Sequence, residues 1–223
     1  MNSLQQIASV LKESDNILIF PHVNIDGDAF GSSSALCAAL RLMGKNAYIM
    51  MSEDAPSNLD YLEHDYITRD ASVLEKTEIA LMLDCSGYDR IRGREEEYKA
   101  GRIKICIDHH ATANSEIEYD YYHCEPQSAA TAELVYLLIK ELGVEINLEI
   151  AESIFTGITT DTGNFQHSNT TKRTHMIAAE LYDIKGFGSK KISSLIYDRR
   201  SRDEFTLENI VLSNLTFYAD GKI

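Results

Sequence analysis

The chain contains no tryptophan, only three prolines and only four cysteines in 223 residues. Its cysteines, Cys37, Cys85, Cys106 and Cys124, show no C-x-x-C spacing, which argues against a zinc cluster and favours buried, reduced thiols. A reactive thiol at Cys85 is the minor alternative. The sequence also lacks a signal-peptide pattern and any apolar run long enough to cross a bilayer. We therefore expect a cytoplasmic protein without membrane association.

Basic residues are scarce relative to acidic ones. The chain has 21 Lys and Arg against 35 Asp and Glu, which gives a formal net charge of −14 at pH 7. This balance argues against the broad positive surface that long nucleic acid needs, so no long duplex partner is expected. Short or small phosphorylated ligands remain compatible with it, because bound divalent cations would offset the negative charge locally.

Four apolar segments are typical of buried strands, at residues 17–20, 46–51, 78–83 and 102–107. A helical pattern at residues 29–43 separates the first two. Apolar strands that alternate with helices predict an α/β fold, with a mostly parallel sheet and helices on both of its faces. The chain is long enough for one such domain and a second, smaller piece.

The second half of the chain is predicted to be helical. Its helical patterns cover residues 128–142, 148–160, 174–181, 192–196 and 205–212. The last residues, 216–223, have the pattern of a strand and a turn, and we interpret them as the opening of another domain.

Residues suited to metal binding occur in four short segments near the ends of predicted elements. They are His22, Asp26 and Asp28 in a loop that folds back at Gly27, then Asp84, then Asp108-His109-His110, and finally Asp161. Ligands of open α/β sheets bind beyond the carboxyl ends of the strands, so we expect these side chains to meet. Carboxylates and imidazoles together suit Mn²⁺, with Mg²⁺, Co²⁺, Fe²⁺ or Zn²⁺ as competitors. The pattern predicts two bound ions and metal-assisted hydrolysis of a phosphate ester.

Each of these residues has a simpler alternative when taken alone. Asp84 could cap a helix, Asp161 could belong to an ordinary turn, and His22 could be a loop histidine. Such coincidences at neighbouring strand ends are less plausible than one metal site. His110 is expected either to act on a substrate phosphate or to support a neighbouring ligand. Surface or packing roles are favoured for the remaining histidines, His64, His123, His167 and His175.

The four segments resemble the motifs of the DHH phosphoesterase family in their order and separation. They are His22-x-Asn24-x-Asp26-Gly27-Asp28-Ala29, Asp84-x-Ser86, Asp108-His109-His110 and Asp161-Thr162-Gly163. The resemblance extends over residues 15–185. Within the family, residues 156–165 and the closing Tyr-Ala-Asp-Gly-Lys-Ile are similar to the bacterial oligoribonuclease/pAp-phosphatase (nano-RNase) branch.

The resemblance implies a role for each of these side chains. One metal ion would be bound by His22 and Asp26, the other by Asp28, His109 and Asp161, with Asp84 bridging the two. Asp108 would orient the neighbouring histidines, while His110 and Asn24 would contact the scissile phosphate. Catalytic roles are therefore expected for Asp84, Asp108 and His110.

The resemblance also implies two lobes. Residues 1–186 would form the DHH phosphoesterase domain, and residues 187–223 a helical linker and the start of a truncated DHHA1 domain. The Gly-Gly-Gly-His-like segment with which the second lobe grips substrate does not occur in this sequence. A homodimer is one assembly compatible with this interpretation.

The leading hypothesis is a two-metal enzyme that releases 5′-nucleotides from very short RNA, AMP from pAp, or both. Four other activities share the expected metal chemistry or family: a RecJ-like single-strand exonuclease, a pyrophosphatase, an exopolyphosphatase and a cyclic-dinucleotide phosphodiesterase. A nucleotide-binding fragment without turnover is the alternative from a different class.

Overall fold

A computed structural model describes residues 1–111, 117, 119–199 and 201–216 of the chain. Within these residues six strands form one sheet. They are β1 (Ile17–Phe20), β2 (Ala47–Met50), β3 (Ile67–Thr68), β4 (Ile79–Leu83), β5 (Ile103–Asp108) and β6 (Tyr121–Cys124). Neighbouring strands are parallel throughout, in the order β3-β2-β1-β4-β5-β6. The predicted parallel sheet is therefore confirmed.

The four strands predicted from apolar runs lie within one residue of their predicted bounds. The sequence prediction misses β3 and β6, at the two edges of the sheet. β3 has only two residues, and the residues of β6 are only partly buried. Neither strand presents the continuous apolar run by which a strand buried on both faces is recognised.

Helices cover the sheet and form most of the second half of the chain. In the described residues they are α1 (Leu4–Glu13), α2 (Gly27–Leu42), α3 (Glu95–Ala100), α4 (Thr131–Leu142), α5 (Leu148–Asp161), α6 (Lys172–Leu181), α7 (Ser189–Ser193) and α8 (Arg202–Ser213). A single π-helical turn, Ser194–Asp198, continues α7. Together, α7 and this turn are longer at both ends than the helix predicted at residues 192–196. In the same way, α8 is longer at both ends than the helix predicted at residues 205–212.

The two faces of the sheet are covered unequally. Ile17 and Ile19 of β1 belong to the larger core, which also contains the buried faces of α1, α2, α4 and α5. Leu18 and Phe20 belong to a smaller core on the opposite face, with Tyr98 of α3. This alternation follows from the two-residue period of a strand. Helices do lie on both faces, as predicted, but the larger share of them packs on one.

Two glycines allow α2 and α5 to approach closely beside the predicted metal ligands. A Cβ atom on Gly157 would lie 2.6 Å from Oδ1 of Asp28, and one on Gly27 would lie 2.3 Å from Cγ2 of Thr160. Gly27 is the first residue of α2, so the tight loop predicted at this position is wrong. The absence of a side chain is needed there for helix packing rather than for a turn.

The last described segment is exposed. All residues of α8 are exposed, including Phe205, Leu207 and Ile210. The strand predicted at residues 216–223 lies, apart from Thr216, outside the described residues. None of the helices in the described part of the chain is long and apolar enough to cross a membrane.

Candidate metal centre

The four predicted segments converge at one edge of the sheet. His22 lies two residues beyond β1, Asp84 directly follows β4, and Asp108 is the last residue of β5. Asp28 stands in the first turn of α2, and Asp161 is the last residue of α5. The strand order reverses between β1 and β4, which is the point at which open α/β sheets bind their ligands.

One group of potential ligands consists of His22, Asp26 and Asp84, and we call it the first position. Nε2 of His22 lies 3.6 Å from Oδ2 of Asp26 and 3.6 Å from Oδ2 of Asp84. The other ring nitrogen, Nδ1, lies 2.9 Å from the carbonyl oxygen of Val23. That contact fixes the ring so that Nε2 faces the two carboxylates. The side chain of Asp26 is 54% exposed.

A second group consists of Asp28, His109 and Asp161, and we call it the second position. Nε2 of His109 lies 3.1 Å from Oδ2 of Asp161 and 3.8 Å from Oδ2 of Asp28. Asp84 also reaches this group, because its Oδ1 lies 3.5 Å from the same nitrogen. The side chain of Asp28 is fully buried and that of His109 is 11% exposed. The second position is therefore the deeper of the two.

Asp84 joins the two positions, because each of its carboxylate oxygens faces one of them. Its backbone has a φ of 60°, in the left-handed region that a non-glycine residue enters at a cost of about 1–3 kcal/mol. No helix begins at Asp84, so the alternative that it caps a helix is wrong. Strain of this kind at a buried acidic side chain is typical of a functional site.

The donor atoms around His109 have a spacing that fits a divalent ion. Ligand atoms around an octahedral divalent ion of magnesium or manganese size lie about 3 Å apart, close to the separations of 3.1–3.8 Å around Nε2 of His109. Within the described residues, this buried nitrogen has no hydrogen-bond partner of good geometry. A buried, unpaired imidazole nitrogen that faces three carboxylates is well suited to ligate a cation.

When no cation is bound, His22 and His109 attract protons. Burial lowers the pKa of His22, but the carboxylates of Asp26 and Asp84 outweigh this effect and raise the pKa to about 10. Burial likewise opposes protonation of His109, but the nearby carboxylates of Asp161 and Asp84 outweigh this effect and raise its pKa to about 9. A metal ion must displace these protons in order to bind.

The buried carboxylates are crowded. Burial, followed by the charges of Asp84 and Asp161, raises the pKa of Asp28 well above its usual value. Burial also raises the pKa of Asp84, although the nearby imidazole of His22 acts in the opposite direction. Like charges so close together destabilise the metal-free protein and would be neutralised by cations.

His110 pairs with Asp108 and also forms, with Asp84 and His109, a third group of residues that could hold a metal ion. Oδ1 of Asp108 accepts a hydrogen bond of 2.8 Å from Nδ1 of His110 and one of 3.0 Å from its backbone N–H. The hydrogen bond from His110 to Asp108 raises the pKa of the histidine. The His110 side chain is 49% exposed, so a ligand can reach the ring from solvent. Nδ1 of His110 also lies 3.6 Å from Oδ1 of Asp84.

The prediction that Asp108 orients both neighbouring histidines is wrong for one of them. Nδ1 of His109 lies 3.1 Å from the backbone carbonyl oxygen of Ser128 instead. Ser128 lies in the turn and bend that precede α4, although the predicted helix begins there. The observed helix begins three residues later, at Thr131.

Sequence reasoning misses the role of Thr131. Its hydroxyl donates a hydrogen bond of 2.8 Å to Oδ1 of Asp84, and its backbone N–H donates one of 2.6 Å to Oδ2 of Asp28. The backbone N–H of Ala132 donates to the other oxygen of Asp28 at 2.9 Å. The residue at the start of α4, Ala130, provides no side-chain cap. Asp28 thus caps α4 from another helix, and the missing local cap is the only signal of this in the sequence.

A second set of contacts supports the segment before α4. Glu133 is fully buried and accepts hydrogen bonds from Thr174 Oγ1 at 2.6 Å and from Arg173 Nε at 3.0 Å. Arg173 also donates to Oγ of Ser128 at 2.6 Å. Nδ2 of Asn169 donates to the carbonyl oxygens of Ala129 and Asp161. Residues of α6 and the preceding turn therefore hold the segment that contacts the second position.

The other predicted residues lie nearby or elsewhere. Asn24 is exposed and has a φ of 55°, and none of the described contacts joins its side chain to the two positions. The remaining histidines have individual partners: His64 lies by Glu149, His123 by the Asn2 carbonyl, His167 by the Asp161 carbonyl, and His175 stacks on Phe165. The contact of His167 places it beside the second position.

The family model described as "DHH family, N-terminal domain" matches residues 16–158. The bifunctional oligoribonuclease and PAP phosphatase NrnA of Thermus thermophilus is 38% identical to this chain, over 98% of the chain and 65% of that protein. A Bacillus anthracis protein described as a probable manganese-dependent inorganic pyrophosphatase is 28% identical, over 79% of the chain and 58% of that protein.

Among solved structures, an exopolyphosphatase-related protein from Bacteroides fragilis superposes with a TM-score of 0.87 and is 29% identical. The match covers 97% of this chain and 66% of that structure. The chain thus spans somewhat less than two thirds of the length of these relatives.

Proposed function

Because the chain belongs to the DHH family, we propose that it is a metal-dependent phosphoesterase. It hydrolyses very short oligoribonucleotides to 5′-nucleotides, pAp to AMP, or both. The observation that carries the proposal is the sharing of Asp84 between two groups of ligand atoms. The similarity to the oligoribonuclease and PAP phosphatase of Thermus thermophilus supports the choice of substrates.

The first position would hold one ion through His22, Asp26 and Asp84. The second would hold another through Asp28, His109 and Asp161, together with the other oxygen of Asp84. Two such ions, when bound, acidify a water molecule and stabilise negative charge on the attacking and leaving oxygens of a phosphate ester. Manganese is our choice, because carboxylate and imidazole ligands suit it and one relative is described as manganese-dependent.

His110 would act directly on the substrate. Asp108 holds Nδ1 of the ring and raises the pKa of His110, so the imidazolium form is favoured. A half-exposed imidazolium beside Asp84 can bind a phosphate oxygen and donate a proton to the leaving oxygen. Asn24, exposed on the loop after β1, would contact the same phosphate group.

The acidic character of the chain limits the substrate to a small one. With a net charge of −14, positive charge at the site would come mainly from the bound ions and from His110. A dinucleotide or pAp requires only that local charge, whereas a long strand requires an extended basic groove.

Turnover by the purified chain with Mn²⁺ tests the proposal directly. We expect hydrolysis of a diribonucleotide or pAp to exceed that of pyrophosphate, polyphosphate, a cyclic dinucleotide and long single-stranded DNA. Faster hydrolysis of pyrophosphate would favour the activity by which the Bacillus relative is described. No turnover of any of these substrates would leave a binding protein and defeat the proposal.

We also propose that residues 187–223 link the phosphoesterase domain to a DHHA1-type lobe. The exposure of all of α8, including its apolar side chains, supports a linker in the later part of this segment, whereas Ile192 of α7 is buried in the larger core. Limited proteolysis should then cut between about residue 199 and the end of α8, and leave a folded fragment that contains residues 1–186 and still binds Mn²⁺. Cleavage that starts within residues 1–186 would contradict the division.

A further inference from the structure

We propose that Thr131 is a positioning residue that holds the carboxylates of Asp84 and Asp28 in the orientation that binds divalent ions. The inference rests on the proposed metal-dependent function. It concerns a residue outside the four segments recognised in the sequence, and it is tested through metal binding rather than through turnover.

Thr131 contacts two carboxylates that arrive from different elements. Its hydroxyl donates to Oδ1 of Asp84 at 2.8 Å, and its backbone N–H donates to Oδ2 of Asp28 at 2.6 Å. Thr131 and Asp28 are fully buried, and Asp84 is 1% exposed. Since water has little access to these groups, a hydrogen bond here is hard to replace.

The hydroxyl matters because the carboxylate group of an aspartate rotates easily. The terminal torsion of this side chain has broad wells, yet Asp84 can bridge only if Oδ2 faces His22 while Oδ1 faces His109. A hydrogen-bond donor fixed beside Oδ1 holds the plane of the Asp84 carboxylate in this orientation. The hydroxyl of Thr131 is that donor, and it leaves Oδ2 for the first position.

The helix itself fixes the hydroxyl. Asp28 accepts the backbone N–H groups of Thr131 and Ala132 at the start of α4, where a negative charge is favoured. On the opposite side of the same turn, Glu133 is bound by Thr174 and Arg173 of α6. Thr131 is therefore held between two anchors and cannot shift to follow a rotating carboxylate.

The decisive experiment measures Mn²⁺ binding by titration calorimetry on the full chain. Thr131→Val keeps the shape and the backbone N–H but removes the hydroxyl. We expect it to weaken Mn²⁺ binding by about 10–100-fold, as is usual when a partner of a metal ligand is lost. Thr131→Ser restores the donor and should restore most of the affinity.

Thr156→Val is the matched control. Thr156 is also fully buried. Its hydroxyl donates to the carbonyl oxygen of Glu152 within α5 at 2.8 Å and lies 2.7 Å from the hydroxyl of Tyr61. This substitution should leave Mn²⁺ affinity unchanged, even though it removes a buried hydroxyl of the same kind. Circular dichroism establishes that each variant is folded, and Thr131→Ala replaces Thr131→Val if the valine variant does not fold.

Three outcomes would overturn the inference: unchanged Mn²⁺ affinity in the folded Thr131→Val variant, no rescue by serine, or an equal loss in the Thr156 control. The result is independent of turnover. If the chain is inactive but binds Mn²⁺ with an affinity that depends on Thr131, this inference holds and the proposed activity is wrong. If the chain is active but its Mn²⁺ affinity is unchanged by Thr131→Val, the proposed activity holds and this inference is wrong.

Discussion

The two proposed metal positions share Asp84 but differ in how their other candidate ligands are held. At the first position, Nδ1 of His22 contacts the carbonyl of the next residue, and Asp26 is a half-exposed residue that caps its own helix. At the second position, Asp28 caps a helix about a hundred residues away, and His109 is held by Ser128. The first position is built by a local loop, whereas the second is part of the tertiary core. Changes at the second position should therefore affect folding as well as metal binding.

The largest effect is expected where the two positions meet. Asp84→Ala removes the shared ligand, so activity should fall by about 10³-fold or more because both ions are affected. Elemental analysis after dialysis against Mn²⁺ should give fewer than two ions per chain. A variant that keeps two ions would show that Asp84 does not bridge them.

His110→Ala should lower the rate by about 100-fold without loss of metal, because a general acid contributes about 10²–10⁴-fold. His109→Ala is the matched comparison and should lose metal from the second position. The two variants are compared by turnover with Mn²⁺ and by metal content. Loss of an ion from the His110 variant would reverse the roles of the two neighbouring histidines.

Folding stability separates the positions further. In the metal-free protein, Asp28→Ala leaves two buried N–H groups of α4 without a partner, which is destabilising. The substitution also relieves the repulsion from Asp84 and Asp161, but we expect this gain in stability to be the smaller of the two effects. We expect a net loss of about 2 kcal/mol in free energy of unfolding. Asp26→Ala removes an exposed cap and should cost about 1 kcal/mol. Urea unfolding in the presence of EDTA measures both values. Equal losses of stability in the two variants would show that the second position is no more a part of the folded core than the first.

The smallest expected difference lies in the pH dependence of metal binding. Each ion must displace a proton from its histidine, so affinity rises about tenfold per pH unit while that histidine is protonated. The pKa of His109 is about 9 and that of His22 is about 10. The metal affinity of the second position should therefore stop rising at a pH about one unit lower than that of the first. Calorimetry in buffers of different ionisation enthalpy counts the protons released. Release of none at pH 7 would contradict the raised pKa values.

Much of the fold can be predicted from local patterns. The central strands are recognised because apolar runs are required where both faces of a sheet are covered. The edge strands β3 and β6 are missed, since a strand that is only partly buried needs no such run. The start of α4 is misplaced by three residues for a different reason: Asp28, from α2, supplies its cap.

The candidate ligand residues can be picked out from the sequence, because each stands close to the end of a strand or helix that can be recognised. Their grouping cannot. That Asp84 presents one oxygen to His22 and the other to His109 depends on a backbone φ of 60°, which no composition pattern specifies. Tertiary structure likewise decides that Asp108 contacts the ring of His110 while the carbonyl of Ser128 contacts the ring of His109.

The sequence by itself determined the parallel sheet and which side chains would gather at its carboxyl edge. Strand periodicity and the position of a residue at a strand end are local properties, so they can be read from neighbouring residues. Only the tertiary structure decided how those side chains are supported. The hydrogen bonds of Thr131 to Asp28 and Asp84 span 103 and 47 residues of chain, and contacts over such distances exist only after the helices have packed.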